Sequence, residues 1–158
     1  MKKEDFLTLY TTDTFFKNIS HKIDNNQVTQ INGLVGSIDS VLIASYFKES
    51  NKTQFVIVDD KEDASFLFND IRQLLGKDSV YLFPSSYKKA YEYNSVENAN
   101  VLMRSEVLSQ LTEQKPIIIV AFPESIAEKV VSKQTFVASS LTIRKGEQLD
   151  VNFITELL

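Results

Sequence analysis

Two runs, FVIV at 55–58 and IIIVAF at 117–122, are apolar at every successive position and rich in β-branched residues. A strand with one wet face alternates apolar and polar residues, so a run without alternation belongs to an interior strand covered on both faces. Such strands call for helices above and below them. The intervals supply these: between residues 27 and 143, short β-branched or aromatic runs alternate with longer amphipathic ones. The pattern predicts an α/β fold with a mainly parallel sheet in a three-layer arrangement. Strands are expected at 28–32, 54–59, 79–83 and 117–122, with a weaker one at 136–143. Helices are expected at 39–49, 62–75, 96–113 and 124–132.

Local signals refine these boundaries. Gly76 is placed to stop the second of these helices in a left-handed conformation. Phe66, Leu67, Ile71, Leu74 and Leu75 read as that helix's apolar face. Pro123 fits just inside the start of the fourth, where its missing N–H costs nothing. Residues 1–26 read as a helical N-terminal arm, with Phe6, Leu7, Leu9, Tyr10, Phe15 and Phe16 as anchors, and 27–158 as one α/β domain. Residues 150–158 read as a helix capped by Asp150. That helix ends without glycine or a polar tail, so the chain is expected to be a fragment of a longer protein.

The 158 residues are enough to bury roughly 70% of the surface an unfolded chain exposes. Cysteine is absent, which removes disulfides, thiolate metal sites and cysteine nucleophiles from consideration. The single histidine, His21, sits between Ser20 and Lys22 and reads as a solvated surface residue. Seventeen basic residues against 21 acidic ones give a net charge of −4, which disfavours a free-standing nucleic-acid binder that must displace counterions. The apolar run at 41–47 is far shorter than the ~20 residues of a membrane span. Met1-Lys2-Lys3 leads at once into Glu4-Asp5 rather than a secretory core. No membrane association and a cytoplasmic location are expected.

The stretch INGLVGSIDS, 31–40, occupies the place of a phosphate-binding loop: after a first strand, before a helix. Laid from Gly33, the template G-x-x-x-x-G-K-[ST] puts Ile38 at the second glycine, Asp39 at the lysine and Ser40 at the hydroxyl. A lysine about 4 Å from phosphate oxygens contributes ~4 kcal/mol at an effective dielectric of ~20, and an aspartate there replaces attraction by repulsion of similar size. Ile38 also resists the positive φ that glycine permits. The loop Gly33, Gly36, Ser37, Ile38, Asp39, Ser40 is therefore expected to be a degenerate one that holds no nucleotide, and no catalytic residue, metal site or cofactor is expected. Read as bare pattern, the two glycines are ordinary turn residues and Asp39 a helix N-cap.

Two other constellations have competing readings. FVIVDDKEDASFLFNDI, 55–71, looks like the first strand and helix of a receiver domain, with Asp59 and Asp60 as magnesium ligands. The acceptor aspartate such a domain needs is missing from the following strand ends, Phe83-Pro84-Ser85 and Phe122-Pro123-Glu124. Tyr87, Tyr91 and Tyr93, interleaved with Lys88 and Lys89, could stack on bases; packing on the body is the plainer account.

Taken in order, GLVGSIDS, FVIVDDKEDASFLFNDI, VYLFPSSYKKAYEY, VENANVLMRSEVLSQL with Arg104, IIIVAFPESI and LTIRKGEQLD resemble the N-terminal module of the bacterial transcription-repair coupling factors (Mfd). That module is itself similar to the first domain of the excision-repair helicase subunit UvrB, and the resemblance covers about residues 27–158. It implies a phosphate loop whose lysine is lost, and a tyrosine-rich segment too short for the DNA-gripping β-hairpin of the helicase. It further implies a non-catalytic docking module that helps recruit UvrA and restrains the motor domains of its own polypeptide. The ATP-dependent DNA translocase, and the contacts with RNA polymerase and DNA, would belong to other domains. The alternatives are an atypical nucleotide-binding α/β domain and, further off, a receiver-like regulator.

Overall fold

A computed structural model describes residues 3–87 and 98–139. The chain opens with α1 (Lys3–Thr11) and α2 (Thr14–Asp24), followed by α3 (Ile38–Ser50). Strand β1 (Gln54–Ile57), α4 (Lys61–Leu75), β2 (Val80–Phe83) and α5 (Asn98–Thr112) come next. Strand β3 (Ile118–Ala121) and two short helices, α6 (Pro123–Ala127) and α7 (Lys133–Ala138), complete the described part. The three strands are parallel in the order β1-β3-β2, with Ile118 opposite Gln54 on one side and Val80 on the other. The fold is thus mixed α/β with a small parallel sheet, as predicted, but only IIIVAF is an interior strand: FVIV lies in β1, an outer strand of the described sheet, and leaves Phe55 and Ile57 exposed.

Burial follows sheet position. All four residues of central β3 are buried, whereas β1, at the edge, alternates half-buried and exposed residues. One sheet face, carrying Val80, Ile118 and Val120, joins Ala64, Leu67 and Ile71 of α4 in the main core. The other, with Phe83, Ile119 and Ala121, packs on Val107 of α5. Helix α3 packs between α1 and α4, and therefore has no single polar face. Its Ala44 and Ser45 are fully buried.

Leu7 of α1 and Phe16 of α2 are buried, and Leu7 belongs to the same core as Val41, Ala44 and Phe47. Phe6 and Tyr10 meet edge to face at 5.3 Å. Leu9 and Phe15 do not act as anchors: they are 60% and 61% exposed. On α2, Asp24 accepts from Lys52 Nζ at 2.7 Å and from Tyr46 Oη at 3.0 Å, and the lysine hydrogen bond lowers its pKa below the usual carboxylate value.

Side-chain caps open three of the described helices. Asp13 accepts from Phe15 N and Phe16 N to open α2, Asp60 from Asp63 N to open α4, and Ser132 from Thr135 N to open α7. Asp60→Ala should cost about 1 kcal/mol, the usual loss for such a cap. Urea denaturation measures it, and an unchanged midpoint would mean that the α4 cap carries no net stability.

Several expectations need correction. Residues 28–32 form no strand: Val28 is fully exposed, and its apolar residues, Val28 and Ile31, sit three apart, a spacing that lines neither face of a strand. Of the strand expected at 136–143, residues 136–138 belong to helix α7 and Ser139 is its C-cap, because the Ser132 cap outweighs the β-branched composition. The helix expected over 124–132 stops at Ala127. Gly76 has φ 98° and ψ 179°, so it ends α4 in an extended glycine conformation and not a left-handed one. Phe66 is 72% exposed, because it lies roughly 140° around the helix from the Ala64, Leu67, Ile71 face. Tyr91, Tyr93, Lys88, Lys89 and the helix at 150–158 fall outside the described residues.

Candidate functional site

Parallel sheets bind ligands outside the carboxyl ends of their strands, where strand order reverses. In this chain β1 runs out into Val58-Asp59-Asp60, β2 into Pro84-Ser85-Ser86 and β3 into Phe122-Pro123-Glu124. Of the two carboxylates after β1, Asp59 is exposed and Asp60 is committed to capping α4. Among the described residues no group of three or more histidine, aspartate or glutamate side chains is gathered closely enough to hold a metal ion.

The loops after β2 and β3 are joined by a polar network centred on Arg104. This residue projects from the buried side of α5, three positions before Val107, and is 5% exposed. Its Nη1 donates to Pro84 O at 2.8 Å and to Ser125 O at 2.9 Å, and Nη2 donates to Glu128 O at 3.4 Å. Nε lies 3.6 Å from Glu128 Oε1, and the guanidinium carbon stands 4.1 Å from the centre of the Phe83 ring. Burial pulls the guanidinium pKa down, and the Glu128 carboxylate partly offsets this by holding it up. Glu128 in turn accepts from Ser86 N at 2.8 Å and from Ser86 Oγ.

Two further bonds complete the assembly. Asn100 Nδ2, also on α5, donates to Ser85 O at 2.8 Å. Ser125, fully buried, accepts from Phe122 N through Oγ and returns that proton donor's favour to Phe122 O at 2.7 Å, closing the first turn of α6. The arrangement fixes the ends of two strands relative to one helix, and its donors and acceptors are aimed at one another.

None of the bonds of this network involves the glycine loop. Gly33 and Gly36 adopt φ of 81° and 64°, conformations that the missing Cβ makes accessible. Residues 27–35 carry no helix or strand, so the strand–loop–helix context expected of a phosphate loop lacks its strand. Ser37 is the N-cap residue of α3 without a side-chain capping bond; Ile38 and Asp39 are in the first turn, which corrects the expectation of Asp39 as N-cap. Asp39 Oδ1 accepts from Ser40 N at 2.6 Å and from the buried Ser40 Oγ at 3.3 Å. The aspartate thus occupies a backbone donor that a bound phosphate would need, with a charge of the phosphate's own sign.

Sequence reasoning singled out Arg104 but not its partners. Glu128 is 24 residues away across β3, and nothing local marks it. The spacing of Arg104 and Val107, three positions apart, was the available sign that the arginine shares the inward face of the helix.

No family model matches the chain. Over 118 residues, 73% of its length, it is 26% identical to a transcription-repair-coupling factor of Rickettsia bellii (strain RML369-C). Over 136 residues, 85% of its length, it is 26% identical to a transcription-repair-coupling factor of Bacillus subtilis (strain 168). The chain spans only 10% and 12% of the lengths of these relatives. Its relationship to them is distant and partial.

Proposed function

We propose that this chain is a non-catalytic interaction and regulatory module of a transcription-repair coupling factor, serving to recruit the excision-repair machinery through UvrA and to restrain motor domains of the same polypeptide. The family link rests on the two coupling-factor relatives. The observation that carries the non-catalytic part is the Asp39 carboxylate closed onto Ser40 N at 2.6 Å. A nucleotide would have to displace this bond and then approach a fixed negative charge. The role of the module is then the presentation of a surface, with at most part of the UvrA contact on these residues. Contacts with RNA polymerase and DNA would fall to other parts of a full-length protein.

Titrating the chain with ATP and magnesium by calorimetry is expected to give no binding heat. Micromolar affinity that is lost in Ser40→Ala would overturn the reading and favour a nucleotide-binding domain.

A further inference from the structure

Gln54 N donates to Ile117 O and Val58 N to Ala121 O, so alternate residues of β1 turn their peptide groups toward β3, while Phe55 and Ile57 turn theirs outward. Among the described residues no hydrogen bond reaches these outward N–H and C=O groups. The side chains of Phe55 and Ile57, 53% and 58% exposed, stand on the sheet face of Ile119 and Ala121. Natural edges are blunted by lysine, proline or a bulge. β1, QFVI, has neither a charge nor a proline, and its register with β3 is unbroken. Another extended strand supplies donors and acceptors at the spacing such a row requires.

β1 itself is a strand of that kind. An antiparallel copy centred on Val56 sets Phe55 opposite the second copy's Ile57, and Ile57 opposite the second copy's Phe55. Both positions point their peptide groups outward, so each pair exchanges both of its N–H···O bonds, and an aromatic side chain meets a β-branched one twice. The flanks agree in charge. Lys52 leads into β1 and the exposed Asp59 follows it, so reversal of direction brings the Asp59 of each copy beside the Lys52 of the other. A parallel copy would set like charges side by side. The antiparallel contact is isologous and closes on itself, so association stops at two copies.

We propose that the open edge of β1 binds a second copy of this chain, antiparallel about Val56, and joins two three-stranded sheets into one. The paired strands are short, so the dimer is weak and reversible. Sedimentation velocity of the full 158-residue chain is expected to show a monomer that becomes a dimer, and no larger species, as concentration rises. The absence of cysteine lets single cysteines report the register. Opposed residues 56 would have Cα atoms about 4.5 Å apart, within disulfide reach, whereas residue 55 stands opposite residue 57 and away from its own counterpart. Under mild oxidation Val56→Cys is therefore expected to cross-link about tenfold faster than Phe55→Cys, the reverse of what random collisions would give, since residue 55 is the more exposed. Phe55→Lys with Ile57→Lys opposes like charges, and its dimer Kd should exceed by about tenfold that of Phe55→Lys with Ile57→Glu, in which each lysine faces a glutamate. Circular dichroism is expected to be the same for both pairs. A chain that stays monomeric at millimolar concentration would overturn the proposal. So would faster cross-linking at 55 than at 56, equal Kd values for the two lysine variants, or growth beyond the dimer.

Discussion

Arg104→Ala is expected to be the most damaging single substitution in this chain, lowering stability by about 3–5 kcal/mol, the usual result of breaking a buried ion pair by removing one partner. The arginine is 5% exposed, and its loss strands the carbonyls of Pro84 and Ser125 and leaves the Glu128 carboxylate without its cation. Removal of the guanidinium also uncovers the Phe83 face that it stacks against at 4.1 Å. Domains of this kind are stable by only about 5–15 kcal/mol, so about a fifth or more of the total is at stake. Arg104→Lys should recover only part of the loss, since one ammonium cannot reproduce a planar fork that reaches two loops at once. Urea denaturation followed by circular dichroism measures the series. An alanine variant with an unchanged midpoint would show that the network is replaced by water at no cost.

Ile118→Ala should come second, at about 2–5 kcal/mol. Ile118 is fully buried in the middle strand, paired in register with Gln54 and Val80, and packed in the core with Ala64 and Ile71. Strands on both sides hold the backbone in place, so the cavity cannot readily collapse and the cavity penalty adds to the lost transfer free energy. Thermal unfolding checks this. Phe55→Ala, at the exposed edge, provides the contrast within the same sheet, with a much smaller shift expected in the described fold.

The strands that could be read from sequence were those with an unambiguous period. IIIVAF at 117–122 is apolar throughout, and β3 is buried throughout. Helix α4 was legible from the glycine that ends it and from its apolar face, although Phe66 was misplaced because apolar identity was allowed to stand in for helical phase. Residues 28–32 were read as a strand because they opened the alternation of β-branched and amphipathic runs, and that composition misled: Val28 and Ile31 fit no strand face. At the candidate site, the reversed charge of Asp39 was visible in the sequence, but its closure onto Ser40 N required coordinates. The Arg104–Glu128 network was hidden for another reason. Its partners are mostly main-chain carbonyls and a glutamate from another loop, and long-range polar pairing leaves no periodic trace in a sequence.

The strand order carries a consequence for synthesis. Among the described residues β1 and β2 are not neighbours; each pairs with β3, the last of the three to be made. A nascent chain leaving the ribosome therefore holds these two strands without their shared partner until residue 121 has emerged, and must rely on the helices α1 to α5 for whatever early order it has. Pairing at such long sequence separation is slow to nucleate, so the interval just before β3 appears is when this chain is most exposed to aggregation and most in need of a chaperone.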